Sequence, residues 1–264
     1  MIVDACLRDG RGGSPTLVID DTPMPDAARA LAVRRSGASH GAFVTVGDDV
    51  ADVRFFTSTG ELPACGHGTV AALAWLADRL GRDGEFVLRV SGRTFHGWAE
   101  GTEAWFEQAP VTLREPSGVE PVLAALGLDP SAPGVRAAST GRWRLLVPVT
   151  SRTVLAGLRP DVDALRRACD AAGLLGCYVH SPVEDGGRLA ARMFAPSIGV
   201  PEDIANANST SCLLVSLGAG SLAADMGDAL GRPATVLARL AGGRPQAGGV
   251  ARGQNPKPSN RYAL

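Results

Sequence analysis

Cys65, Gly66, His67 and Gly68 set a thiol and an imidazole two positions apart, with glycines between and after them. A β-rich run that includes Arg54 ends in a turn punctuated by Gly60 and Pro63, and an apolar helix opens directly behind the tetrapeptide. The first N–H groups of such a helix have no partner within it, and its dipole presents positive charge, so the spot favours an anion. The glycines let a ligand carboxylate approach the backbone closely. A turn that simply feeds a buried helix, with His67 capping it, uses the same residues.

The layout returns later in the chain. Arg192, Phe194, Pro196, Gly199 and Pro201 lead through Glu202 and Asp203 to Asn206, Ala207, Asn208 and Ser209, and a second apolar helix follows. A carboxylate at Asp203 can orient a histidine, hold a substrate ammonium, or only favour the helix dipole. Asn206, Asn208 and Ser209 offer uncharged donors or ordinary caps. Two such helix mouths in one chain point to a ligand shared between them.

His40 lies among small residues, Ser39 before it and Gly41 after it, where a loop is expected between a helix and a strand. An accessible imidazole with a pKa near ~6.5 suits proton transfer at neutral pH. A turn histidine bonded to backbone is the plainer alternative. The histidines show no HxxxH or HxH spacing and no CxxC is present, so no metal is expected. No GxSxG elbow, P-loop or dinucleotide fingerprint occurs, and the stretch from Gly10 to Gly13 lacks the Lys-Ser/Thr of a phosphate loop. No cofactor is called for.

Composition narrows the class. The chain has 264 residues, 45% of them hydrophobic and only 5% aromatic, which suits cores of Ala, Val and Leu. The net charge of −1, with no block of like charges, disfavours nucleic acid or an anionic membrane as partner. No apolar run is long enough to span a bilayer and the N-terminus has no signal pattern, so a cytoplasmic location is expected. Five irregularly spaced cysteines do not suggest a disulfide framework.

The elements that must position these residues follow from periodicity. Strands are expected over 3–5, 16–19, 42–46, 53–57, 85–90, 94–100 and 104–109, and helices over 25–35 and 68–80. After a Pro-rich boundary at 110–121 come helices near 121–128, 161–172 and 209–217, with strands at 144–149, 177–180 and 189–194. Both mouth helices are apolar nearly all round, which implies burial on every side. The order of strand, Arg-x-Phe, turn, small polar helix start and apolar helix occurs in each half, a diverged internal duplication.

These motifs together resemble the PhzF-like (phenazine-biosynthesis) family, which shares the diaminopimelate epimerase fold. The matching pieces are Gly13-Ser-Pro, Ser39-His-Gly-Ala-Phe-Val, the run from Phe56 through Glu61 and Cys65 to Thr69, Arg192-Met-Phe-Ala-Pro with Gly199-Val-Pro-Glu-Asp, and Gly243-Arg-Pro-Gln. The resemblance implies an α+β fold of two pseudo-symmetric lobes, each a curved, mostly antiparallel sheet wrapped around a central apolar helix. The lobes are expected at 1–112 and 113–247. The Gly/Pro-rich tail at 248–264 is expected to be poorly ordered, or else to join the first lobe.

By resemblance the chain is a cofactor-independent isomerase of a small carboxylate, acting as a homodimer in specialised metabolism, with a proline-like cyclic acid one candidate. Catalytic roles fall to His40, His67 and Asp203. Substrate binding falls to Cys65, Gly66, Gly68, Asn206, Ala207, Asn208 and Ser14. The family's proton carrier is a Glu where this chain has His40. Cys65 matches one of the two thiols of the epimerase branch, but the second mouth has Asn206 rather than a cysteine, which argues against two-thiol chemistry. An amino- or hydroxy-acid racemase, epimerase or hydro-lyase using Cys65 with His40 is an alternative, as is a binding protein that has lost its base.

Overall fold

In the computed structural model of the chain, residues 1–254 are described. Strands β1 (Ile2–Leu7) and β2 (Ser14–Asp20), helix α1 (Asp26–Ser36), and strands β3 (His40–Val46), β4 (Ala51–Phe56) and β5 (Glu61–Leu62) lead into α2 (Gly66–Leu80). Strands β6 (Gly84–Val90), β7 (Arg93–Glu100), β8 (Glu103–Glu107) and β9 (Thr112–Arg114) then precede α3 (Glu120–Ala125), β10 (Arg136–Ser139) and β11 (Trp143–Pro148). Helices α4 (Arg152–Gly157) and α5 (Val162–Ala171) and strands β12 (Cys177–His180), β13 (Arg188–Ala195) and β14 (Val200–Asp203) lead into α6 (Ala207–Ser216). Strands β15 (Ser221–Met226), β16 (Ala234–Ala241) and β17 (Arg244–Gly253) complete the order.

Pairing shows how this order closes. β1 pairs with β2, β2 with β3, β3 with β4, β4 with β6, β6 with β7, β7 with β8, β8 with β17, and β17 back with β1. That is a ring of strands, and α2 contacts β1, β2, β3, β7, β8 and β17 from inside it. The ring explains why α2 is buried around its whole circumference, from His67 through Leu73 to Trp75, Leu76 and Ala77. The second sheet runs from β9 through β10, β11, β12 and β13 to β15, β16 and β17. α6 packs on β10, β11, β15, β16 and β17.

One expectation is corrected here. Residues 248–253 are not poorly ordered; they join the first lobe, the other expectation for the tail, as the second half of β17, which pairs with β1 and β8 and closes the ring. The glycines that suggested disorder are close-approach positions: a Cβ at Gly248 would lie 2.5 Å from the Ala104 carbonyl oxygen and 2.6 Å from the Trp105 ring. Residues 255–264 of the expected tail lie outside the described residues. Strands β9, β10, β14, β15 and β16 and helix α4 are further elements that periodicity did not reveal.

The repeated Arg-x-Phe has the same physical job in both halves. Arg54 donates to both oxygens of Glu61, at 2.8 and 2.6 Å, and lies 5.1 Å from the Phe56 ring centre. Arg192 donates to both oxygens of Glu202, at 2.9 and 2.8 Å, and lies 4.8 Å from the Phe194 ring centre. Each brace ties the strand to the turn that delivers the helix start. The second is far more buried, with side-chain exposures of 10% and 11% against 36% and 38% for the first. Glu202→Gln should therefore lower stability by about 3–5 kcal/mol by leaving a buried guanidinium uncompensated. Glu61→Gln should cost about 1 kcal/mol or less. Chemical denaturation of the two variants checks the ranking, and equal losses would refute it.

Candidate functional site

The two mouth helices meet end to end. A Cβ on Gly66 would lie 2.6 Å from the Ala207 Cβ, so only glycine lets the start of α2 reach the start of α6. Cys65 caps α2 without a side-chain hydrogen bond, and the amides of Gly66, His67 and Gly68 have no acceptor inside the helix. At α6, Asn206 Oδ1 accepts from the Ser209 amide at 2.9 Å, which leaves the Ala207 and Asn208 amides without intrahelical acceptors. Two positive helix ends thus converge on one cavity of about 530 Å³. That volume suits a small molecule.

His40, Cys65, Gly66, His67, Asp203, Asn206 and Asn208 line this cavity, so residues from both halves come together. Ser14, Gly68 and Ala207, expected at the site, are not among its walls. Ser14 is fully buried on β2 with its hydroxyl unpartnered. Gly68 is a packing position, where a Cβ would meet Cys65 Sγ and the Phe55 ring at 2.9 Å. Ala207 supplies the helix-to-helix contact just described. Glu202 is committed to Arg192 and does not serve the cavity.

His40 differs from its expectation. It opens β3 in parallel register with Thr16 of β2 and is only 6% exposed, rather than sitting on an accessible loop. Its Nδ1 lies 2.9 Å from Ser39 Oγ, and its ring stands edge-on to His67 with centroids 4.4 Å apart. Burial, and then the charge on His67, push its pKa down to about 3. His67 goes the other way. Burial pulls it down, but the Cys65 sulfur, Asp203 and the Ala205 carbonyl outweigh this and hold it at about 10.

The contacts of His67 match that charge. Nδ1 donates to the Ala205 carbonyl at 2.9 Å and lies 3.9 Å from Asp203 Oδ1, while Nε2 faces Cys65 Sγ at 3.4 Å. Asp203 is fixed in turn by Asn206 Nδ2 at 2.9 Å and by the Ala205 amide at 3.4 Å. The signs follow: His40 stays neutral until pH falls through about 3, and His67 stays charged until pH rises through about 10. The pair is a neutral imidazole beside an imidazolium.

Sequence spacing suggested no metal, yet the fold gathers His40, Cys65 and His67 so that their ligand atoms lie within 4.8 Å of one another. A thiolate and two imidazoles are donors that zinc accepts. Binding there has to displace the proton that keeps His67 charged.

Arg144 and Gln108 also line the cavity and were not picked out as site residues from sequence. The available signal was an arginine at the head of the apolar run Arg144-Leu-Leu-Val, which reads as a buried strand. Among the described residues no helix is long and apolar enough to cross a membrane.

Comparison with known proteins gives the family and the fold. The family model described as phenazine biosynthesis-like protein matches residues 18–247. An uncharacterized isomerase of Deinococcus radiodurans is 30% identical over 227 residues, covering 79% of this chain and 72% of its own. The trans-2,3-dihydro-3-hydroxyanthranilate isomerase of Pseudomonas aeruginosa is 28% identical over 265 residues, covering 92% of this chain and 90% of its own. A solved phenazine biosynthesis protein of the PhzF family from Bacillus anthracis superposes with a TM-score of 0.82 at 16% identity, covering 95% and 94% of the two chains, a likeness of fold.

The helix-to-helix contact makes a sharp expectation. Gly66→Ala should cost about 1–3 kcal/mol through overpacking against Ala207, and adding Ala207→Gly should return most of that loss. Denaturation of the single and double variants measures the coupling. Additive losses would show that the two helix starts do not press on each other.

Proposed function

The chain belongs to the phenazine biosynthesis-like protein family and is an enzyme of isomerase type, and from that premise we propose that it moves a proton, and with it a double bond, within a small carboxylic acid without a cofactor. The observation that carries this reading is the neutral His40 held 4.4 Å from the charged His67 at the meeting point of two helix starts.

In the tautomer whose Nδ1–H donates to Ser39 Oγ, His40 Nε2 keeps a free lone pair to accept a proton from a substrate carbon. The negative charge that develops on the substrate is stabilised by the unpaired amides of the helix starts and by the His67 imidazolium. The Ala205 carbonyl, 2.9 Å from Nδ1, orients that imidazolium, and the Asp203 carboxylate 3.9 Å away supports its charge. His40 then returns its proton to a different carbon, and the pairing of a second cation beside His67 drives the return. Under this reading the substrate is an intermediate of specialised metabolism, with a cyclic, proline-like acid one candidate, and the working form is a cytoplasmic homodimer. The support for those finer points is family kinship.

A second reading has its own observation. Cys65 Sγ lies 3.4 Å from His67 Nε2, a thiol–imidazole pair of the kind that activates a sulfur base. This is the racemase or epimerase reading, with Cys65 and His40 as its acid and base, and their ligand atoms lie within 4.8 Å of each other. Turnover in deuterium oxide separates the two, since a double-bond shift labels a new carbon and racemisation labels the stereocentre.

The first test uses trans-2,3-dihydro-3-hydroxyanthranilate and other unsaturated cyclic acids. His40→Gln should lower kcat by about 10²–10⁴-fold while binding is retained, and an undiminished rate would remove His40 from the mechanism. The wild-type kcat/KM should stay level across the neutral range, because the two histidines titrate only near about 3 and about 10. A rise through pH ~6.5, as for a solvated histidine base, would contradict the assignment.

A further inference from the structure

Among the described residues three arginines are buried: Arg29, Arg144 and Arg192, at 5%, 3% and 9% exposure. Arg29 donates to both oxygens of Asp21, and Arg192 to both oxygens of Glu202. Arg144, the most buried of them, has no carboxylate partner among the described residues. Its partners are Ser209 Oγ at 3.3 Å, Thr140 Oγ1 at 3.4 Å and the Arg142 carbonyl at 3.0 Å, and its Nε has no partner among the described residues.

A guanidinium taken out of water is costly unless an anion meets it. Nothing in the packing of the strand requires a charge here: Arg144 pairs through its backbone with Ala138 of β10, and Leu145, Leu146 and Val147 continue the strand as apolar core. Arg144 does, however, form part of the cavity wall. Its contact with Ser209 sets it beside the first turn of α6, close to the unpaired amides of Ala207 and Asn208. A second buried donor without a partner, the side-chain nitrogen of Gln108, lines the same cavity. Both orphaned groups are donors, each left for an acceptor that the described residues do not bring to it.

We propose that Arg144 is the seat of the substrate's carboxylate, which supplies the counter-charge that the chain omits. The cavity then has a direction. The acid group lies against Arg144 and the start of α6, and the carbon that exchanges its proton faces His40 and His67 at the start of α2. An amide or ester of the same acid lacks the charge that the buried guanidinium needs, so the enzyme selects free acids. That the occupant is the isomerase's substrate rests on the function proposed above; the seat itself stands on the burial and the missing partner.

The test needs no known substrate. Arg144→Met and, as a control, Arg192→Met are compared with the wild type by thermal unfolding, with acetate as the smallest convenient carboxylate and acetamide as its neutral twin at matched ionic strength. Arg144→Met should unfold at or above the wild-type temperature, because an uncompensated buried charge has been removed, whereas Arg192→Met should fall by several degrees. Acetate should raise the wild-type midpoint by about 3–5 °C once it is about tenfold above its Kd. Acetamide should not, and Arg144→Met should show no rise with either. A midpoint loss in Arg144→Met as large as in Arg192→Met would make the residue structural and overturn the proposal. So would a wild type indifferent to acetate, or an Arg144→Met variant that still responds to it. An intact acetate response alongside no turnover of any tested acid would instead count against the isomerase and leave the seat in place.

Discussion

Two helix starts pressed together dominate this structure. Each carries roughly half a positive elementary charge, and like poles do not meet unless something else holds them. Here the holding is done by sheets: the ring of strands encloses α2, and β17, which completes that ring, also packs against α6. The contact between Gly66 and the Ala207 side chain is the tolerance to which this assembly is built. A side chain at position 66 would push the poles apart and open the wall of the cavity. What remains in the finished fold is a pocket whose backbone favours negative charge before any side chain is considered.

The side chains sharpen that preference. Asp203 is the carboxylate nearest the junction, and it is already occupied by Asn206 and the Ala205 amide while it supports the charge on His67. Its charge is thus balanced against an imidazolium, and the helix poles and Arg144 are left in surplus. The bidentate braces behind both helices show the opposite economy, with each guanidinium matched to its own carboxylate. Charge is paired where the chain needs rigidity and left unpaired where a ligand enters.

Much of this was legible in the sequence, because the informative signals were local. Gly-rich helix starts, Arg-x-Phe and all-round apolar helices each report a short-range constraint, and α2, α6 and the strands β4 and β13 fell within a few residues of expectation. The environment of His40 was not legible. Small neighbours suggested an exposed loop, but burial came from the packing of α2 and the arrival of His67 across the fold. Arg144 looked like an ordinary strand residue, since the absence of a partner is a property of three dimensions. Gly248 and Gly249 were misleading for a related reason: glycine marks both slack chain and tight crossings, and only the neighbours Trp105 and Cys6 reveal which.

The exchange of the family's glutamate for His40 can now be weighed physically. A carboxylate at this position would form an ion pair with the His67 cation and would become neutral on taking up a proton. A histidine begins neutral and becomes a second cation. Two unit charges 4.4 Å apart, the separation of the ring centroids, repel by about 4 kcal/mol at an effective dielectric of about 20. That repulsion, added to burial, holds the His40 pKa down to about 3. An anion bound in the cavity acts the other way, because its charge attracts the new cation. Under the proposed role of His40 as proton carrier, a negatively charged ligand therefore raises its basicity. A glutamate carries its own negative charge and does not depend on the ligand for it. Under that role the base and the charge of the ligand are coupled, so a neutral molecule in the cavity would meet a weaker base than an anion would.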